Sequence, residues 1–380
     1  MTRKALQARM KQQLAQAQGE RLVSLFYKPD WEETKQRYLA WWAGEALGRC
    51  AMAVYAPLSN PPDVPPPPEP KDPAQRWTDM DYIRRANEHR HSHTFYGGEA
   101  FPCWHGGYPG HKSIAAFLGC PVRLGPDTGW LDPILTEPEP EVRLLHVPTE
   151  GRWWKFTLDL LRTAARESPG RSIPSIGAFG GVGDTLAALR GTERLLLDLV
   201  ERPDWVRDAE QFLIDLWFGV YDTFYDIVHE AAGGSTCWFE LWSPGRFYAV
   251  QNDFSYMISP RMFRDIFLPA IERQTRFLDH AVYHVDGPGS FAHVDALCEL
   301  PRLRALQILP GAGKPSPLHY MDVLRKGQAK GRNLHITIEP GEVENALLSL
   351  SARGLFIQTW CATEGEARQL LKDAEKWSHD

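Results

Sequence analysis

The chain has 380 residues, 43% hydrophobic and 24% charged, the proportions of an ordinary globular protein with a sizeable core. A formal net charge of -6 gives no basic field for a phosphate backbone, so nucleic acid is excluded as an expected partner and a small-molecule substrate is expected. Six cysteines, Cys50, Cys103, Cys120, Cys237, Cys298 and Cys361, stand singly without a CxxC pair, which points to reduced thiols in the cytoplasm rather than a disulfide framework.

The N-terminus, MTRKALQARMKQQLAQAQGERL, is polar and lacks the apolar core of a signal peptide, and no apolar run approaches the roughly 20 residues of a membrane span. Residues 1–47 read as a helical extension. It comprises LQARMKQQLAQ and then WEETKQRYLAWWAGEAL, opened by Asp30 as N-cap with Glu33 three residues on. RCAMAVYAP has the length of a buried strand, and it begins the main unit, residues 48–380. The proline-rich NPPDVPPPPEPKDP can be neither helix nor central strand, so an extended loop and insertion are expected at about 58–112. Within the insertion His89, His91 and His93 alternate, which on a helix points the rings in different directions and argues against a shared metal. FPCWHGGYPG suits a binding loop, with Trp104 and His105 as candidate substrate contacts; turn packing explains it equally well.

From about residue 170 short apolar runs alternate with amphipathic helical patterns. SIPSIGAF, TCWFELW, AVYHVDG, LRALQIL, NLHITIE and LFIQTWC are the strand candidates, the signature of βαβ units and a parallel sheet. RCAMAVYAP and a strand expected between Cys120 and His146 bring the count to eight, which predicts an α/β fold of (β/α)8 TIM-barrel type with an N-terminal helical extension. The rival is an open doubly wound sheet. AFGGVGDTLAAL has the flavour of a phosphate loop without GxGxxG spacing.

In such a barrel the chemistry sits at the carboxyl ends of the strands. Side chains alternate along a strand, so His284 and Asp286 face one way, as do His335, Thr337 and Glu339. His284, Asp286 and Cys361 could supply three zinc ligands, with Gly287 and Gly289 letting the chain turn beside them. The competing reading is a buried histidine bonded to a carboxylate and a cysteine packed as a small hydrophobe. Glu240, Asp253 and Glu339 are the candidate catalytic carboxylates, and Trp242 and Tyr256 the preferred members of an aromatic substrate pocket, against the alternative of core packing.

GDTLAALRGTERLLLDLVERPDWV and QNDFSYMISPRMFRDIFLPAIERQ, with Asp253, Ser259, Pro260, Phe263, Leu268 and Pro269 in register, resemble the uroporphyrinogen decarboxylase superfamily. That superfamily includes methyltransferases acting between methylated corrinoid proteins and thiols. The resemblance covers the chain from about Gly183 onward. It implies a barrel, and it sets YHVDG against the His-x-Cys-Gly zinc motif of the methyltransferase branch, with His284, Gly287 and Cys361 matching and Asp286 standing where the branch has its first cysteine. The decarboxylase's arginine-rich motif near its N-terminus has no counterpart in APLSNPPDVPPPPEP, where its guanidinium forks would be needed for carboxylates.

The favoured expectation is therefore a zinc-dependent methyltransferase acting on a small methylated substrate or on methyl-corrinoid carried by a partner protein. The alternatives are a metal-free decarboxylase or lyase in the same pocket, with His284 and Asp286 moving protons, and a barrel that binds a small molecule without turnover. A homodimer is compatible with all three.

Overall fold

The computed structural model describes residues 24–137, 141–311 and 313–379; the expected helix LQARMKQQLAQ lies outside them. It is a mixed α/β fold. The main sheet has seven strands in the order β2-β1-β13-β12-β11-β10-β9. In chain order these are β1 (Ala51–Pro57), β2 (Thr94–Gly98), then, after short strands named below, β9 (Phe247–Gln251), β10 (His280–Asp286), β11 (Ala305–Leu309), β12 (Asn333–Thr337) and β13 (Leu355–Trp360). All neighbours are parallel except β2, which runs antiparallel to β1 at the edge. The parallel strands read as apolar runs because helices cover the sheet: β10 is buried from Ala281 to Val285, and β1 from Ala51 to Ala56.

Three two-stranded pairings complete the strands: β3 (Cys103–Trp104) with β6 (Ile173–Pro174) parallel, β4 (Val122–Leu124) with β5 (Gly129–Leu131) antiparallel, and β7 (Ser235–Thr236) with β8 (Trp242–Ser243) antiparallel. Ile176 N–H donates to Thr236 O at 3.0 Å, extending the β3–β6 pair to β7. Strand pairing thus forms a seven-stranded sheet with a shorter arc beside it rather than one unbroken ring. Two expected strands differ. Among the described residues of the Cys120–His146 region the only strands are those of the β4–β5 hairpin, because Pro121, Pro126 and Pro133 interrupt any longer ladder. TCWFELW is not one strand: it turns back at Cys237–Leu241, where Glu240 has φ +53, and β9 is the segment that joins the sheet.

The Trp31–Trp42 helix lies under the amino ends of the strands. Trp41 Nε1 donates to Gly354 O at 2.9 Å, Asn333 donates to Trp41 O, and Arg304 donates to Trp42 O. These partners sit just before or at the start of β13, β12 and β11, so the opposite, carboxyl ends are left for a site. Asp30 precedes the helix as expected, without a side-chain cap bond. Among the described residues no helix is long and apolar enough to cross a membrane.

Candidate metal centre and adjoining pocket

At the carboxyl end of β10, the donor atoms of Asp253, His284 and Asp286 all lie within 4.8 Å of one another. Alternation along the strand puts His284 and Asp286 on one side. Asp253 arrives from the neighbouring strand, two residues past the end of β9. The register places His284 opposite Gln307 of β11, and His284 Nδ1 is hydrogen-bonded to Gln307 Oε1. An amide oxygen only accepts, so the proton belongs on Nδ1 and the Nε2 lone pair is turned toward Asp253, whose Oδ1 is 3.9 Å away.

The electrostatics of this corner are those of crowded acids. Asp184, from the first turn of the Val182–Arg190 helix, accepts from Phe254 N and Gln251 Nε2, both at 3.0 Å; Gln251 Nε2 also donates to Asp253 at 3.1 Å. Burial pushes the Asp253 carboxyl up to about 8, with the charges of Asp184 and Asp286 adding to it. Burial raises Asp184 as well and lowers His284. The Asp253 side chain is 44% exposed, yet its Oδ1 is buried without a hydrogen-bond partner, as is Asp286 Oδ1. It therefore opens onto a cleft while one oxygen faces inward. Two partnerless buried carboxylate oxygens beside a tautomer-fixed imidazole are a donor set that fits a divalent cation, with one nitrogen and two oxygen ligands.

Gly287, at φ +77, continues the strand into its turn. A Cβ at Gly287 would stand 2.9 Å from Tyr256 Cε2 and one at Gly289 2.8 Å from Tyr256 Cδ2, so these glycines admit the Tyr256 ring, 49% exposed, against the centre. They serve the turn and the site together.

A cavity of about 630 Å³ adjoins the centre, lined by Tyr55, Tyr96, Trp238, Glu240, Trp360 and Arg90 among others. Gln307 also lines it, and the Trp238 ring is 5.1 Å from that of His284, so pocket and metal ligands share a wall. Glu240 accepts from the Tyr55 hydroxyl at 2.8 Å and faces His105 Nε2 at 3.5 Å. Burial alone would raise its carboxyl, but His105, Arg90 and the Tyr55 hydroxyl outweigh it and hold it below the usual range. His105 is lowered by burial and by Arg90, so it stays a neutral ring.

The remaining expected residues divide. The donor atoms that lie within 4.8 Å of one another are those of Asp253, His284 and Asp286; Cys361 is buried and lines the pocket. Its strand β13 is separated from β10 by β12 and β11, three interstrand steps of about 4.8 Å each. Its thiol is raised by burial. Trp242 is 1% exposed and donates to Ala232 O at 3.1 Å, packing on Trp31; it is core, because its segment forms β8 rather than a strand end. Trp104 is buried with Ile83, Leu160 and Ala164. Glu339 is exposed at the N-cap of a short turn, its N–H donating to Glu342 at 3.1 Å. Gln307, Asp184, Tyr55 and Arg90 escaped the sequence reading. The signal for Gln307 was a lone amide inside the apolar run LQIL.

No protein-family model matches this chain, and no curated protein matches it by sequence. Among solved structures it is similar to a methyltransferase from Methanosarcina mazei, with a TM-score of 0.60 at 11% identity, over 90% of this chain and 98% of that one. At that identity the likeness is one of fold.

Proposed function

We propose that the protein is a metal-dependent methyltransferase of the uroporphyrinogen decarboxylase-like type, built on a (β/α)8 barrel, with a divalent cation, zinc by preference, held by Asp253, His284 and Asp286. The observation that carries the reading is the partnerless pair Asp253 Oδ1 and Asp286 Oδ1 beside His284. The fold likeness to a methyltransferase and the resemblance of the Ser-Pro to Leu-Pro segment support it. When bound, the metal would supply Lewis-acid polarisation or lower the pKa of a coordinated nucleophile.

The chain's own residues do the rest. Gln307 holds the His284 ring with Nε2 inward, Gln251 bridges the Asp184 and Asp253 carboxylates, and Glu240 with Tyr55 orients substrate in the adjoining cavity. The donor set is harder than one built on thiolates, which favours oxygen or nitrogen ligands on the substrate side and weakens the case for a strongly activated thiol. A methyl-corrinoid on a partner protein remains the proposed source or acceptor of the methyl group.

Zinc titration into chelator-treated protein tests this. One equivalent should bind, and His284→Ala or Asp253→Asn should abolish it; wild-type protein that binds no divalent ion removes the mechanism. The elevated Asp253 carboxyl specifically favours a second reading, in which Asp253 acts as a protonated general acid in metal-free decarboxylation or lyase chemistry. Activity that survives exhaustive chelation and disappears in Asp253→Asn would select it.

A further inference from the structure

The cavity beside the proposed metal centre has a composition that a metal site alone does not require. Tyr55 and Trp360 stack at 5.5 Å between ring centroids with planes 16° apart, and Tyr96 meets Tyr55 edge-on at 6.0 Å. Trp238 and Phe239, which cross at 4.1 Å, line the same cavity. The Glu240 carboxylate lines it too, fixed by the Tyr55 hydroxyl at 2.8 Å. Its backbone sits at φ +53, the only positive φ at a non-glycine residue among those described, a conformation that persists where surrounding structure holds it in place. No Lys or Arg lies within ion-pair distance of Glu240 among the described residues; its one such neighbour is the ring of His105 at 3.5 Å.

Aromatic faces carry negative quadrupole charge, and stacked or crossed rings around one carboxylate attract a cation too large and too weakly hydrated to need water. The same cavity holds Arg90. Its Nη2 donates to Asn87 Oδ1 at 2.7 Å and to Cys103 O at 2.6 Å, both neutral acceptors, and its charge acts on Glu240 without an ion pair between the two among the described residues. A ligand that answers both charges has a methylated cationic head and an anionic tail.

We propose that this cavity binds a small onium zwitterion, its quaternary head between the Tyr55–Trp360 and Trp238–Phe239 walls beside Glu240 and its carboxylate toward Arg90. This names a substrate class for the methyl-transfer reading and rests on it for turnover, though not for binding. Transfer to a two-electron nucleophile would break the methyl–nitrogen bond, leave its electron pair on nitrogen as a neutral tertiary amine, and form the new bond to methyl from the nucleophile's own pair.

The test uses two probes of equal shape, trimethylammonioacetate and 3,3-dimethylbutanoate, in which carbon replaces the cationic nitrogen. Calorimetric titration of full-length chelator-treated protein should show the onium binding at least about tenfold tighter than its neutral-headed counterpart, the scale of one cation–π cage. Glu240→Gln and Trp360→Leu should each erase most of that ratio, and Arg90→Gln should weaken both probes together. Trp360 is 53% exposed, so its replacement leaves the core intact and keeps the comparison interpretable. Equal affinities for the two probes, no binding of either to wild-type protein, or a ratio unchanged in Trp360→Leu would overturn the proposal. Onium binding without zinc binding would instead sink the metal reading alone, and zinc binding without onium preference this one alone.

Discussion

At the scale of single residues, the centre depends on which nitrogen of His284 is free. Gln307 Oε1 accepts from Nδ1–H, and removing it would let the ring turn and the tautomer change. Gln307→Leu keeps the volume and the apolar character of β11 but deletes the acceptor. Its expected effect is a loss of about 10- to 100-fold in zinc affinity, the usual weight of a partner that orients a ligand. Competition against a chelating dye would measure it, and Gln307→Glu should recover affinity, since its carboxylate can accept from the same N–H. Unchanged affinity in Gln307→Leu would mean that the ring is held by Trp238 and Phe239 alone, with centroids at 5.1 and 5.6 Å.

At the scale of elements, the site is positioned by two devices. The first is the segment between β9 and β10. Ser259 caps its start, its Oγ accepting from Met262 N at 3.2 Å; Phe263–Phe267 widens to a π turn, and Leu268–Phe277 follows. Pro269 has no N–H to donate, which accounts for the widened turn just before it. The second is the edge where β2 folds back on β1. Glu99, 0% exposed, takes a forked ion pair from Arg49 at 2.7 and 3.1 Å and also accepts from Met52 N–H. Glu99→Ala leaves a buried guanidinium and an unbonded amide, and should cost about 3–5 kcal/mol of stability by denaturant unfolding. A loss under about 1 kcal/mol would show that Arg49 reaches solvent or another partner.

At the scale of the whole molecule, folding keeps several imidazoles neutral. Burial drives His91 and His111 down to about 3 and His280 to about 4, with Arg90 adding to the first and Lys112 to the second. A histidine near 6.5 in the unfolded chain takes a proton that the folded protein refuses. The contribution of these rings to stability is therefore full above about pH 6.5 and lost progressively as pH falls toward the folded values. Unfolding free energy should decline between about pH 6.5 and about pH 4, by an amount on the order of a few kcal/mol per ring, and melting temperature should fall with it. His111 is the cleanest probe: it is 0% exposed, neither ring nitrogen has a partner, and it packs on Trp153 and Phe156. His111→Phe should flatten the acid limb; a limb as steep as wild type would place the loss on other groups.

The local patterns carried much of this protein. The apolar runs of β1, β10, β11, β12 and β13 are legible because strands covered on both faces must be apolar throughout, and His284 and Asp286 fall on one face by alternation alone. The resemblance of the Ser-Pro to Leu-Pro segment marked Asp253, which ends two residues beyond a strand that the apolar run TCWFELW had concealed. What only the tertiary structure decided is register and convergence. Period-two spacing says which way a side chain points, but not that Gln307 stands beside His284, nor that Asp253 lies with His284 and Asp286 in a group that could hold a metal, because those distances are set by strand order. Glutamate 240 at φ +53 and the aromatic walls around it likewise come from segments far apart in sequence, held together by a core that no single segment specifies.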